Sequence, residues 1–359
     1  MTKPKTKEKQ KIDKKKAVIY VAAIVLVGLS IPIQLALKKP PEDPAAQQQG
    51  QQVQDGTTTT TQTGDTTTPT TDTTTSTTDT SLIEPGEAQD AETYSKKGIM
   101  HFDRGELESA KDSFSKALDL KPDLAKPYEY LGIIYQQQGE EKAAIENFKL
   151  SAGLDKEYYG NYFNLGNIYY SQGNYDQALQ YLTKAKSLYP SYANTYKLMA
   201  LTYMAKNDKE AAIDYYKLAI QYYPNDYDSY SKIADIYSDS GNVTEAINYL
   251  KKALEINPKY DEAYVKLGKI YSNQEAKDSK ALAKEMFEKA ITTNPANGEG
   301  YFYLANYFLK DNKKGLAEEY YIKSLEYNPK NEAALLKLKE ISPGSKIILI
   351  VDKSKEVKK

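Results

Sequence analysis

The chain has 359 residues, of which 27% are charged and 40% hydrophobic, enough for a sizeable folded region together with tails. Its formal net charge is −1, so no overall basic field points to nucleic acid. Cysteine is absent, which excludes disulfides, thiolate metal sites, thiol catalysis and a lipid anchor attached to cysteine.

The first 37 residues have the pattern of a membrane anchor. Residues 1–16 carry eight Lys against two acidic residues, and residues 17–37 contain no charge. About 20 consecutive apolar residues span a bilayer core as a helix. We therefore predict a Lys-rich cytoplasmic N-terminus at 1–16 and a single transmembrane helix at 17–37, with the rest of the chain extracytoplasmic at the cell membrane. A cleaved signal peptide is the alternative.

Residues 38–90 are rich in Gln and Thr and poor in apolar residues. Seventeen of the 24 residues from Thr57 to Thr80 are Thr. Such a segment buries too little apolar surface to offset its ordering entropy, which predicts a disordered linker. A plain spacer and a stalk carrying sugars on Thr are both compatible with this composition.

From residue 91 the chain repeats with a period of 34 residues, and the units begin near residues 91, 125, 159, 193, 227, 261 and 298. Within each unit, position 4 is Tyr, position 8 is Gly or Ala, position 20 is Ala, and position 27 is Ala or Ser. Position 15 is Gly or Asn in six units, and position 32 is Pro in all except the second, which has Lys156.

Each fixed position has a physical cause. Positions 4, 8 and 11 lie on one stripe of a helix, and positions 20, 24 and 27 lie on a stripe of a second helix. Small residues at positions 8, 20 and 27 let the two helices approach closely, while bulky residues at 4, 11 and 24 fill the space between them. Gly or Asn at position 15 accepts the left-handed conformation that ends a helix, and Pro at position 32 stops the second helix.

This pattern resembles the tetratricopeptide repeat (TPR), and the resemblance covers residues 91–331. It implies an all-α fold, a right-handed α-solenoid of seven TPR helix-turn-helix repeats in a domain at 91–342. A C-terminal capping helix is expected at 332–342, followed by a Lys-rich tail at 343–359. Two features depart from the pattern: three extra residues in the sixth unit around Gln274–Lys280, and His101 at position 11 of the first.

No motif for catalysis, phosphate binding or metal binding is present in the sequence. His101 is the only histidine, and its position predicts packing inside the first helix pair. Residues 91–342 hold 33 Lys or Arg and 36 Asp or Glu, which argues against a basic groove for RNA. We expect a protein that is not an enzyme, has no cofactor and does not bind nucleic acid.

In TPR proteins, partners usually bind the concave surface that positions 2, 5, 9 and 12 of the first helices line. In this chain those positions are apolar toward the amino end and polar further along, which suits an extended peptide or an amphipathic helix of a partner protein. The family's clamp for a C-terminal carboxylate is absent, because Phe163 precedes Asn167. The predicted groove residues are Ile99, Phe102, Glu129, Ile133, Phe163, Asn167, Tyr170, Lys197, Leu201 and Met204.

The resemblance is closest to bacterial inner-membrane TPR proteins and implies a membrane-anchored scaffold for assembly of an envelope complex. Four alternatives stay open: a self-associating homo-oligomer, a cytosol-facing tether or import receptor, an enzyme accessory or carbohydrate binder, and a groove covered by the chain's own Leu82–Ile83 segment. Near the C-terminus, the apolar run Ile347–Val351 is expected to pack on the last helix pair or to pair as a strand.

Overall fold

The computed structural model describes residues 90–276 and 278–345. The predicted cytoplasmic segment, transmembrane helix and linker up to residue 89, and the tail after Ser345, lie outside these residues. Within the described part, fifteen helices and no strand are present. The helices are α1 (Ala91–Asp103), α2 (Leu107–Leu120), α3 (Ala125–Gln138), α4 (Glu141–Leu154), α5 (Tyr159–Ser171), α6 (Tyr175–Leu188), α7 (Ala193–Ala205), α8 (Lys209–Tyr222), α9 (Tyr227–Asp239), α10 (Val243–Ile256), α11 (Asp261–Ser272), α12 (Ser279–Thr293), α13 (Gly298–Lys310), α14 (Lys314–Tyr327) and α15 (Glu332–Ile341).

The helices form seven pairs followed by one single helix. Each odd-numbered helix from α1 to α13 packs most extensively on the even-numbered helix that follows it. Each even-numbered helix then packs on the first helix of the next pair, and α14 packs on α15. Contact between neighbours of this kind is the architecture of a solenoid, so the predicted all-α solenoid is confirmed. None of these described helices has the length and apolar character that a membrane span requires.

Small residues sit where the two helices of a pair touch. Ala178 of α6 is fully buried, as are its equivalents at position 20 in the other pairs. At position 8, a Cβ added to Gly98 would lie 2.5 Å from the Phe114 ring, and one added to Gly268 would lie 2.4 Å from the Phe287 ring. Such distances are shorter than any real Cβ contact, so the bulky residue at position 24 requires a small partner at position 8.

The turns inside the pairs follow the Gly and Asn pattern. Six residues of the described part have positive φ, and all six are at position 15 of a repeat. They are Gly105, Gly139, Gly173, Asn207, Gly241 and Asn312. The left-handed residue lets the chain reverse after the first helix, as at Gly173, whose N–H donates to the Tyr170 carbonyl at 3.0 Å. The sixth pair has no such residue among the described ones, and six residues separate α11 from α12.

Candidate partner-binding groove

The position-5 side chains of the middle repeats are covered by the last residue of their own repeat, just before the first helix of the next repeat. In repeats two to five these residues are Glu129, Phe163, Lys197 and Ser231. Each contacts the residue that immediately precedes the next first helix. These four contacts, which we call the groove seam, run along the first helices α3, α5, α7 and α9, and the next paragraphs describe them.

Aromatic side chains close the seam in the second and third repeats. The Phe163 ring packs edge-on against the Tyr192 ring with centroids 5.4 Å apart, and Phe163 is only 4% exposed. Glu129 is 5% exposed, accepts a hydrogen bond from Lys126 Nζ at 2.9 Å and is a hydrogen-bond partner of the Tyr158 hydroxyl. Burial, followed by the Glu129 carboxylate, raises the pKa of Tyr158. Phe163 and Glu129 are therefore packing residues that offer little surface to a partner.

Polar contacts close the seam in the next two repeats. Lys197 Nζ lies 3.1 Å from a carboxylate oxygen of Asp226 and 3.1 Å from one of Asp228. Burial alone would lower the pKa of Lys197, but the two carboxylates outweigh it and the pKa is raised. In the following repeat, the Tyr260 hydroxyl donates to Ser231 Oγ at 3.3 Å. The charge of Lys197 is therefore held by the last residue of its own repeat and by Asp228 of the next, although its side chain remains one-fifth exposed.

Two more predicted groove residues belong to the core. Ile133 is buried in α3, and Phe102 is buried in α1. The Phe102 ring packs edge-on against Tyr130 of the next repeat, with centroids 5.2 Å apart. Phe102 therefore contributes to packing between the first two repeats.

Five of the predicted groove residues are half-buried and have no partner that covers them fully. They are Ile99, Asn167, Tyr170, Leu201 and Met204. Leu201 and Met204 of α7 pack beside the buried cluster that contains Tyr216, and the Tyr170 ring lies 6.0 Å from the Tyr175 ring. These side chains, with Lys197, form the accessible part of the groove on α1, α5 and α7.

His101 is half-buried, and its Nδ1 lies 2.5 Å from a carboxylate oxygen of Glu106, at the end of α1. In residues 90–276 and 278–345, no group of three or more His, Asp and Glu side chains could hold a metal ion. The chemistry available on the accessible groove is apolar contact, hydrogen bonding by Asn167 and Tyr170, and one ammonium group.

Sequence reasoning missed the residues that cover the seam. Tyr158, Tyr192 and Tyr260 recur every 34 residues just before the first helix of a repeat, and Asp226 takes the same place once. The recurrence is visible in the sequence. Position 5 alone does not reveal that the last residue of the same repeat covers it.

The arrangement of the repeats agrees with comparisons to known proteins. The family model of the cilia and flagella-associated protein 70 C-terminal domain, a TPR family, matches residues 47–301, which is more than half of the chain. The chain belongs to this TPR family. The matched range begins outside the described residues and ends in α13 of the TPR solenoid.

Solved structures of three bacterial proteins share the TPR fold of this chain. The C-terminal part of a TPR repeat-containing protein from Cytophaga hutchinsonii is 19% identical with a TM-score of 0.57, and the match covers 68% of this chain and 99% of that one. A tetratricopeptide repeat protein from Parabacteroides merdae is 18% identical with a TM-score of 0.52, covering 69% and 97%. Pseudomonas aeruginosa pilF is 20% identical with a TM-score of 0.51, covering 60% and 97%. No curated protein matches the chain significantly in sequence.

Proposed function

We propose that this protein is a membrane-anchored scaffold that binds a peptide or helix of a partner protein in the accessible groove. The anchor is the apolar segment 17–37, and the repeats face the outside of the cytoplasmic membrane, where they serve assembly of an envelope complex. The TPR solenoid supplies the binding surface, and binding requires no cofactor.

The observation that supports this proposal most strongly is the set of half-buried side chains on adjacent first helices. Tyr170, Leu201 and Met204 are only half-buried and offer apolar surface to a partner, whereas Phe163 is buried. Asn167 and Lys197 lie in the same repeats and provide polar contacts that orient a bound chain. A few polar groups within an apolar surface are typical of peptide-binding grooves.

The test is chemical crosslinking on intact cells, with a crosslinker that does not cross membranes. The wild-type protein should be trapped with its partner, which mass spectrometry then identifies. The double substitution Tyr170→Glu with Met204→Glu should abolish this crosslink, because two carboxylates would have to be desolvated against an apolar partner surface. Helix content, measured by circular dichroism, should stay at the wild-type value. Phe163 is unsuitable for this test because a charge there would disturb the seam.

The matched control is Leu150→Glu with Leu154→Glu on the second helix α4. Both leucines are 45% exposed, so this variant adds the same charge to a surface outside the groove and should keep the crosslink. Normal capture by the groove variant would refute the proposed site. Crosslinking that appears only after cell lysis would refute the orientation, and capture of a second copy alone would favour self-association.

A further inference from the structure

A cavity of about 760 Å³ lies where the sixth repeat departs from the 34-residue period. Helices α11, α12, α13 and α15 line it. Its apolar wall is formed by the aromatic side chains Tyr271, Phe287, Tyr303 and Tyr307, and Lys310 and Lys337 also line it. The cavity lies in repeats six and seven, away from the accessible groove on α1, α5 and α7.

The longer connection of the sixth repeat accounts for the opening. α11 ends at Ser272 and α12 begins at Ser279, so the short left-handed turn of the other repeats is missing. At position 10 of repeats two to six the side chain is buried, as for Ile168 and Ile236. Tyr307 occupies the same position in repeat seven, but it is only half-buried and lines the cavity.

We propose that the apolar run of the chain's own tail, residues 347–351, binds in this cavity. The run is Ile-Ile-Leu-Ile-Val, five aliphatic residues without interruption, and it matches a cavity whose wall is aromatic. The next residue is Asp352, whose carboxylate is complementary in charge to Lys310. Lys337 is already paired with Glu340 at 2.9 Å, and Glu275 adds a negative charge to the lining. Both the apolar and the charged parts of the segment thus find a counterpart in the cavity.

The tail also leaves the solenoid beside the cavity. α15, which contributes Lys337 to the lining, ends at Ile341. After it, Ser342 Oγ donates to a carboxylate oxygen of Glu318 at 2.6 Å, and the Ser345 N–H donates to the Ser342 carbonyl at 3.1 Å. The six residues from Ile341 to Ile347 extend about 20 Å at most, and Lys337 is about 6 Å along the helix from Ile341. The run can therefore reach the cavity without displacing any helix.

Disulfide trapping in the full chain tests this proposal, because the native chain has no cysteine. Ser272→Cys, on the cavity wall, is combined in turn with a cysteine at each of the positions 347 to 351. A disulfide forms only when the two Cα atoms come within about 7 Å. We expect most of the monomer to close an internal disulfide at one or two of the five positions, read by non-reducing electrophoresis and peptide mass spectrometry.

Two controls match this design. In the first control, Glu319→Cys on α14 is used in place of Ser272→Cys. Helix α14 lies beside the exit of the tail, but Glu319 is not on the cavity wall, so this cysteine should form little disulfide with the tail. In the second control, Ile348→Asp and Ile350→Asp are added to the pair of cysteines that closes best among those with the tail cysteine at 347, 349 or 351. These two charges should abolish the disulfide. Adding Lys353→Asp and Lys355→Asp instead should leave the disulfide intact. A disulfide-linked dimer would assign the cavity to a second copy's tail. Equal closure at Ser272→Cys and Glu319→Cys would show that the tail does not bind there.

Discussion

Single residues decide how closely the two helices of each repeat approach. Ala178 is fully buried against the partner helix, and its neighbour Gly166 has no room for a Cβ, which would lie 2.7 Å from Leu182. The 34-residue pattern keeps these small residues because a larger one would push the helices apart. A well-packed core tolerates added methylene groups poorly.

We expect Ala178→Leu to lower the free energy of unfolding by about 1–3 kcal/mol, because the larger side chain overpacks the contact between α5 and α6. Urea denaturation followed by circular dichroism measures this change. The control is Ala333→Leu on the exposed face of α15, where the same side chain is added without crowding, and it should leave stability unchanged. Equal stability of the two variants would contradict the packing argument.

The groove residues show where prediction from the sequence stops. Helical spacing places Phe163, Lys197 and Met204 on the first helices, but it does not say how far each is exposed. Exposure depends on residues further along the chain, since Tyr192 at the end of the same repeat covers Phe163 while no residue covers Met204 fully. Burial of a groove residue thus depends on contacts about 30 residues away, which the spacing within one helix does not include.

At the scale of helices and turns, the sequence predicted much more. Gly or Asn at position 15 indicated six left-handed turns, and the six residues with positive φ in the described part are at these positions. The extra residues of the sixth repeat indicated a longer connection there, and α11 and α12 are indeed farther apart in sequence. The cavity beside this connection could not be predicted, because it depends on how Tyr303 and Tyr307 of the next repeat pack.

We expect Gly173→Val to lower the free energy of unfolding by about 1–2 kcal/mol, because a β-branched residue at φ 76° is strained. Apart from the adjoining chain, no atom lies within 4 Å of the position a Cβ would take, so the cost comes from the backbone conformation. Asn273→Val after α11 is the control, since φ is −96° there and valine fits without strain. Thermal unfolding of both variants should show a lower midpoint for Gly173→Val only.

At the scale of the whole solenoid, tyrosine hydroxyls are distributed through the interfaces between helices. Burial, followed by the Glu129 carboxylate, raises the pKa of Tyr130 to about 12. Burial also raises the pKa of Tyr321 to about 12, and its hydroxyl donates to Asn306 Oδ1 at 2.6 Å. These groups remain protonated in the folded chain at a pH where an exposed tyrosine, with a pKa of about 10, has ionised.

The solenoid should therefore lose stability as the pH rises from about 10 to about 12. In that range the unfolded chain has released tyrosine protons that the folded chain retains, so deprotonation favours unfolding. Urea denaturation across this range measures the loss, and absorbance of tyrosinate gives the ionisation midpoints. Tyr130→Phe should reduce the loss of unfolding free energy between pH 10 and 12. An unfolding free energy that stays constant up to pH 12 would show that these hydroxyls are solvated.

The groove seam gives the solenoid a direction along the chain. Tyr158 covers Glu129, Tyr192 covers Phe163, Asp226 pairs with Lys197, and Tyr260 bonds to Ser231, so the cover always comes from the last residue of the same repeat, later in the chain. During synthesis, each repeat in this stretch emerges with its position-5 side chain uncovered until the end of that repeat has left the ribosome. A nascent chain that stalls within the second to fifth repeats consequently exposes one unmatched side chain at its growing end, and which side chain it is depends on where translation stopped.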